Sequence, residues 1–365
     1  MTVPGPDNRL LAIDARRILI VKPSALGDVV QTLPLVAALR RRFPGSWIAW
    51  LVQRELRELV DGCPDLDDVQ LCDRRPTWSQ AIASLNELRR QRFDLVFDLQ
   101  GLLRSAVMTL ATGARHRIGL QTAREGAAWA TTHTITGTGR DVPAHARYWR
   151  VAEAFGVGDT PRRFTMRIHR ADEQFATLQL AGLPRPIFAV QWGAKWETKR
   201  WPIEQFAALL SRAGRTWGGS AVLVGGGGDV LECERMAALI RTQCPSLPVA
   251  NFAGRTTIKQ LAAVLSQVDA MISNDSGPMH LAAELGTPTL GIFTCTSAMR
   301  SGPPGIQHEF VATQVPCAAS YKKVCPCPGD ARQACHRELD VERACRGLVR
   351  LVEKNGLVTV SARAA

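Results

Sequence analysis

No stretch of this chain comes near the roughly 18 consecutive apolar residues that a membrane-spanning helix needs, so a spanning helix is excluded. The opening MTVPGPDNRL has neither the basic segment nor the apolar core of a secretory signal, and the expectation is a protein that stays in the cytoplasm. No G-x-G-x-x-G fingerprint is found, which counts against a dinucleotide-dependent oxidoreductase. A Walker A loop is missing too, because no Gly-Lys-Ser/Thr stands at the required spacing. Aromatic stacking platforms and known nucleic-acid-binding modules are absent, so nucleic acid is not an expected partner. Short-period repeats and low-complexity tracts are likewise missing.

What is there is an ordinary globular composition in a chain of 365 residues, too long for a single compact core, so two domains are expected. A formal net charge of +12 points to anionic partners. Part of that charge lies in short groups, Arg40–Arg42, Arg74-Arg75, Arg89-Arg90 and Lys322-Lys323, each of which also fits a solvated helix face. Ten cysteines in a chain of this size without a secretory signal argue for thiols rather than a disulfide framework. Five of them, Cys317, Cys325, Cys327, Cys335 and Cys345, crowd the C-terminal region.

Short apolar strands alternate with amphipathic helices in both halves. In the first, Ile18–Lys22, Trp47–Gln53, Val69–Cys72, Leu95–Gln100 and Arg117–Leu120 read as strands, and Val30–Phe43 as a helix stopped by Pro44-Gly45. In the second, Phe188–Trp192, Ala221–Gly225, Met271–Ser273 and Thr289–Phe293 read as strands, with helices Ile203–Trp217 and Ile258–Gln267. Residues 156–186, rich in Gly and Pro, form the candidate linker, part of which also fits a strand and a helix. Strands separated by helix-length segments imply parallel pairing and an α/β fold of two Rossmann-like doubly wound domains facing a central cleft. Ligands of such sheets bind beyond the carboxyl ends of the strands, so functional residues are sought just after each one.

Four such junctions stand out. In ILIVKPSALGDVVQTLP, residues 18–34, a strand runs into a turn and a helix, and Asp28 is either a helix cap or a group facing a ligand. MISNDSGPMHLAAELG, residues 271–286, suits a pyrophosphate on backbone amides, with His280 one turn into the helix; a capping Asp275 or Ser276 and a core histidine are the alternatives. QWGAKWETKRWP, residues 191–202, puts Lys195, Lys199 and Arg200 where an anionic leaving group would lie, or simply on the surface. The run Gly225–Gly228 allows close nucleotide approach or a flexible turn.

Together these segments resemble glycosyltransferase family 9, the ADP-heptose:lipopolysaccharide heptosyltransferases. The resemblance is carried by I-L-I-V-K-x-S-x-L-G-D-x-V-x-x-L-P, D-L-Q-G-L-L-R-S-A at 98–106, K-R-W-P at 199–202 and S-N-D-S-G-P-M-H-L-A-A at 273–283, in order across roughly residues 16–350. It implies the GT-B architecture, with an acceptor-binding domain over 1–165, a nucleotide-sugar-binding domain over 166–345 and a C-terminal helix and tail over 346–365. It further implies an inverting, metal-independent transfer of heptose from ADP-heptose to a lipopolysaccharide inner-core acceptor of the Kdo-lipid A type, an anionic glycolipid, with no cofactor required.

In that scheme Asp28 matches the general base and Lys199 the lysine that stabilises departing ADP. Asp275, Ser276, Gly277 and His280 match the donor-binding segment, with Gly193, Gly226 and Glu232 as further donor candidates. Ser24, Gly27, Gln100, Arg104 and Arg124 are the acceptor-side candidates, Arg124 for its planar fork towards a carboxylate or phosphate. Cys317, Cys325, Cys327 and Cys335 resemble the family's C-terminal Cys-Pro signature, with Cys335-His336 in place of the usual Cys-Met. Some members that glycosylate proteins with heptose carry cysteine-bound iron, but the C-x-C at 325–327 fits structural or free thiols at least as well, and no metal is expected. Contact with the inner membrane, on its cytoplasmic face, would be peripheral and weaken with salt. Competing readings are a family member using another nucleotide sugar or a protein or other glycolipid acceptor, a non-hydrolysing sugar-nucleotide epimerase, and a non-catalytic binding module.

Overall fold

The computed structural model describes residues 7–358, and the chain divides into two compact units at Arg167/Ile168. The first carries six strands: β1 (Arg17–Val21), β2 (Trp47–Gln53), β3 (Asp68–Cys72), β4 (Leu95–Asp98), β5 (His116–Leu120) and β6 (His133–Ile135). They lie in the order β3-β2-β1-β4-β5-β6 with every pair parallel. Ile18 of β1, for example, faces Ile48 on one side and Leu95 on the other. Helices cover both faces, so β1 and β4 read as continuous apolar runs, as parallel strands buried on two sides must.

The second unit repeats the plan. Its strands are β7 (Ile187–Gln191), β8 (Ser220–Val224), β9 (Val249–Asn251), β10 (Ala270–Asn274), β11 (Thr289–Phe293) and β12 (Glu309–Ala312). Their order, β9-β8-β7-β10-β11-β12, is that of the first sheet, and all pairs are parallel. Helix Ile203–Trp217 buries Phe206, Leu209 and Leu210 in a core that also takes Ala344, Leu348, Leu351 and Val352 of helix Val341–Lys354. Of the segment expected as helix and tail, residues 359–365 lie outside the described residues, as do residues 1–6 of the N-terminal reading.

The differences from the sequence expectations lie at element ends and in three short strands. Helix Leu26–Arg42 starts a turn before Val30, drawing Asp28 into its first turn, because Asp28 accepts the Ala25 N–H and caps its own helix. Within the Gly- and Pro-rich stretch at 156–186, the part that fits a helix is helix Arg170–Leu180. Three strands absent from the expectation, β6, β9 and β12, are short and sit towards the sheet edges.

Candidate active site

In each sheet the strand order reverses between the first and fourth strands, β1/β4 and β7/β10, and this is where an open parallel sheet leaves a crevice at its carboxyl end. Both crevices collect the chemistry-bearing side chains of their unit.

At the first, the chain leaves β1 through Lys22, Pro23 and Ser24 and enters helix Leu26–Arg42 with Asp28 in the first turn. Asp28 Oδ2 accepts the Ala25 N–H at 3.2 Å, and Oδ1 accepts the Tyr148 hydroxyl at 2.7 Å. The carboxylate thus both caps its helix and keeps 38% of its side chain exposed. Lys22 is buried, donates to the Leu99 carbonyl at 3.2 Å, lies 3.8 Å from Asp28 Oδ1 and sits over the Tyr148 ring. Burial lowers its pKa; Asp28 works against that, and Arg147 and Arg124 add to it. Burial likewise holds the Tyr148 phenol well above its usual value, so the hydroxyl is a donor. Arg147 and Arg124 thus lie near enough to Lys22 for their charges to act on it.

The β4 loop closes this crevice. Asp98 accepts the Gln100 and Gly101 N–H groups and the Ser105 hydroxyl, and Gln100 Oε1 in turn accepts the Ser24 N–H. Gly101 has φ +64°, and a Cβ there would press on the Ala123 backbone at 3.0 Å, so glycine is required for the close approach of the Arg124 segment. Arg124 itself is exposed, while its N–H donates to the Gly101 carbonyl. Gly27 is buried in the first helical turn. Arg104 turns to the carbonyls of Asp73 and Arg74.

At the second crevice Lys199, in the turn Glu197–Lys199, donates to Asp275 Oδ2 at 2.8 Å and lies over the Trp196 ring. Asp275 is buried at the end of β10, and His280 Nε2 lies 3.9 Å from its other oxygen. Ser276 stands at the N-terminal boundary of helix Gly277–Glu284 without a side-chain capping bond, its hydroxyl 3.1 Å from that of Ser273. The helix opens with a Pro in its first turn and leaves its first N–H groups without intrahelical partners. Asn274 ties the loop down, donating to the Trp192 carbonyl and accepting the Trp201 N–H. Lys195 carries no such contact, and Arg200 donates to the Ala194 carbonyl.

The glycines after β7 and β8 have a packing reason of their own. A Cβ on Gly193 would fall 2.3 Å from the Asp229 carboxylate, which accepts the Gly226 N–H at 3.0 Å. Glu232, in helix Val230–Gln243, pairs with Arg235 at 2.8 Å. The cysteine-rich segment buttresses the lysine loop: Thr198 donates to the Lys322 carbonyl, and the Thr198 carbonyl accepts from Thr294 and His336. Within it the Gln333 N–H donates to Cys325 Sγ and lowers that thiol's pKa, while burial pushes Cys335 up to about 11. Among the described residues, no three His, Cys, Asp or Glu side chains are arranged to hold a metal ion. No helix among them is long and apolar enough to cross a membrane.

Lys22, Arg147 and Tyr148 were not singled out from sequence. Lys22 lies inside the first motif, but a lysine after a strand carries no signal of burial, and the other two sit 120 residues away on helix Ala144–Ala154.

Residues 82–329 match the family described as Glycosyltransferase family 9 (heptosyltransferase). The chain is 30% identical to lipopolysaccharide heptosyltransferase 1 of Pseudomonas aeruginosa over 334 residues, 85% of this chain and 87% of that one. It is 26% identical to the lipopolysaccharide core heptosyltransferase OpsX of Haemophilus influenzae over 291 residues, 79% of this chain and 82% of that one. Among solved structures, the E. coli ADP-heptose lps heptosyltransferase II superposes with a TM-score of 0.73 at 22% identity, covering 93% of this chain and 99% of that one. That likeness establishes the fold as the GT-B type, built from two parallel six-stranded α/β sheets.

Proposed function

This chain belongs to glycosyltransferase family 9, the heptosyltransferases, and is a glycosyl-transferring enzyme; from that premise we propose that it moves a heptose from ADP-heptose to an anionic lipopolysaccharide inner-core acceptor of the Kdo-lipid A type. The relatives named for lipopolysaccharide heptosyl transfer supply the reaction class. The observation that carries the acceptor reading is Lys22 at 3.8 Å from Asp28, a partly exposed carboxylate, with Arg147 and Arg124 close enough to act on the Lys22 charge. A carboxylate base in a basic neighbourhood suits an acidic sugar that must offer it a hydroxyl.

Asp28 takes the proton of the acceptor hydroxyl as its oxygen bonds to the anomeric carbon from the face opposite the leaving group. The bond from that carbon to the phosphate oxygen breaks, its electron pair departs with ADP, and the configuration inverts. Lys199 neutralises the developing charge on the departing phosphate, and Asp275 fixes where that ammonium lies. The helix opening at Ser276 and Gly277 receives the pyrophosphate on its free N–H groups, with His280 behind it. Gly226, with open space beside it, leaves room for the nucleotide, Gly193 admits the Asp229 carboxylate that holds that loop, and Glu232 reaches the ribose by exchanging Arg235 for a sugar hydroxyl. Ser24, Gly27 and Gln100 shape the acceptor pocket, while Arg104 and Arg124 border it. The reaction needs no metal or other cofactor in this scheme, and it takes place in the cytoplasm, with peripheral contact at the inner membrane.

The test is ADP release from ADP-heptose by purified protein, with and without Kdo-lipid A. Release that depends on the acceptor is expected. Release only with another nucleotide sugar, or only with a protein acceptor, overturns the donor or acceptor assignment respectively. An Asp28→Ala variant that transfers at the full rate overturns the general-base role.

A further inference from the structure

Among the described residues, twelve large hydrophobic side chains are exposed, and five of them, Trp78, Ile82, Leu103, Val107 and Trp129, share one region of the first unit. Helix Leu103–Ala111 packs against helix Trp78–Arg90 on one side and the turn Ala127–Ala130 on the other. Each helix turns an i,i+4 pair outward, Trp78 with Ile82 and Leu103 with Val107, so the pairs stand on single faces. Trp78 is 88% exposed and Ile82 57%. Helix Trp78–Arg90 gives Leu88 and, partly buried, Leu85 to the core of its unit, while Trp78 and Ile82 on its outer face are left to solvent.

Basic residues frame these apolar side chains. Arg74 and Arg75 precede Trp78, Arg89 and Arg90 close its helix, and Glu87, paired with Arg90, is the sole acid from 74 to 90. The segment 103–115 holds Arg104 and Arg115 and no acid. Tryptophan and aliphatic side chains surrounded by arginine are what the headgroup layer of an anionic bilayer accommodates. The face also adjoins the acceptor crevice, because helix Leu103–Ala111 starts two residues after Gly101, whose carbonyl holds the Arg124 segment.

We propose that the face formed by helices Trp78–Arg90 and Leu103–Ala111 with Trp129 docks the enzyme on an anionic phospholipid bilayer, apolar side chains inserted and arginines at the headgroups. The proposal rests on the glycolipid-acceptor reading for its purpose, since a lipid-borne acceptor would then present its sugar beside the surface on which the enzyme sits. Its test does not, because the vesicles used contain neither donor nor acceptor.

The full-length chain is floated with phosphatidylglycerol–phosphatidylethanolamine vesicles and, separately, with pure phosphatidylcholine vesicles. Binding to the first and little to the second is expected, declining as salt rises. Trp78→Ser/Ile82→Ser should cut the bound fraction at least about tenfold, and Arg74→Glu/Arg75→Glu should abolish the preference for phosphatidylglycerol. Leu178→Ser, at an exposed apolar residue on helix Arg170–Leu180, should bind as wild type does. Unchanged thermal melting confirms that each variant is folded. Wild-type protein that ignores vesicles, a Trp78→Ser/Ile82→Ser variant that binds normally, or a Leu178→Ser variant equally impaired overturns the proposal. So does a wild-type dimer in sedimentation that Trp78→Ser/Ile82→Ser dissociates without any vesicle binding, which would make the face a contact between copies of this chain.

Discussion

Tyr148 gives its hydroxyl proton to Asp28 Oδ1 at 2.7 Å while Lys22 sits beneath its ring. Hydrogen bonds to a charged acceptor contribute about 1.5–3 kcal/mol, and the partial exposure of Asp28 puts this one at the lower end. Tyr148→Phe is therefore expected to reduce kcat about tenfold by loosening the carboxylate, with the KM for donor unchanged. Steady-state ADP release measures both; a raised donor KM with normal kcat would contradict a role on the acceptor side.

Lys22 carries an opposite expectation for stability. Burial lowers its pKa; Arg147 and Arg124 add to that lowering, and Asp28 and Asp98 oppose it without reversing it. The folded chain thus holds this proton less tightly than the unfolded chain, and the charge destabilises the fold wherever both states carry it. Lys22→Met should raise Tm at neutral pH by about 2–4 °C, the shift that 1 kcal/mol produces in a unit of this size, while transfer to an anionic acceptor slows. Calorimetry alongside kinetics decides it, and a lowered Tm would refute the argument.

Lys199 bears on the leaving group. Replacing it with Ala removes the positive charge held by Asp275 and should lower kcat about 100-fold. Small primary alkylamines added in solution are expected to restore part of the rate. An Ala variant with normal kcat would assign the ion pair to structure alone.

His308 sets part of the acid sensitivity. Burial, with the Lys354 charge adding to it, pushes its pKa down from 6.5 to about 4. As pH falls below the unfolded value, the unfolded chain takes up a proton that the folded one refuses until about pH 4. Stability is therefore lost across that window, by at most about 3 kcal/mol. His308→Leu should flatten the decline of Tm between those two pH values, and a parallel decline in both proteins would rule His308 out.

The strands written as uninterrupted apolar runs, Trp47–Gln53 and Thr289–Phe293, were legible because burial on both faces leaves no other composition. Three of the four edge strands were not, β3 being the exception: Val249–Asn251 and Glu309–Ala312 are short and half exposed, and their residues resemble loop. For the candidate site the sequence gives position rather than role: Gln100, Gly193 and Asp275 lie just past the ends of their strands and Asp28 in the helical turn after β1, where the strand-to-helix pattern puts them. Tyr148 and Arg147 escaped because a helix face brings them in from far along the chain, and no local pattern records that approach. Arg104 and Glu232 were legible as residues but not as contacts, since nearby carbonyls and Arg235 engage them.

The hydrogen bond from Tyr148 to Asp28 spans 120 residues, and those from Thr198 to Lys322 and from Trp201 to Leu339 span 124 and 138. During synthesis, neither crevice can be finished when its motif leaves the ribosome. Each waits for the last helix or C-terminal segment of its own unit to emerge and dock. A nascent chain released early would carry the signature motifs intact and still lack a competent centre.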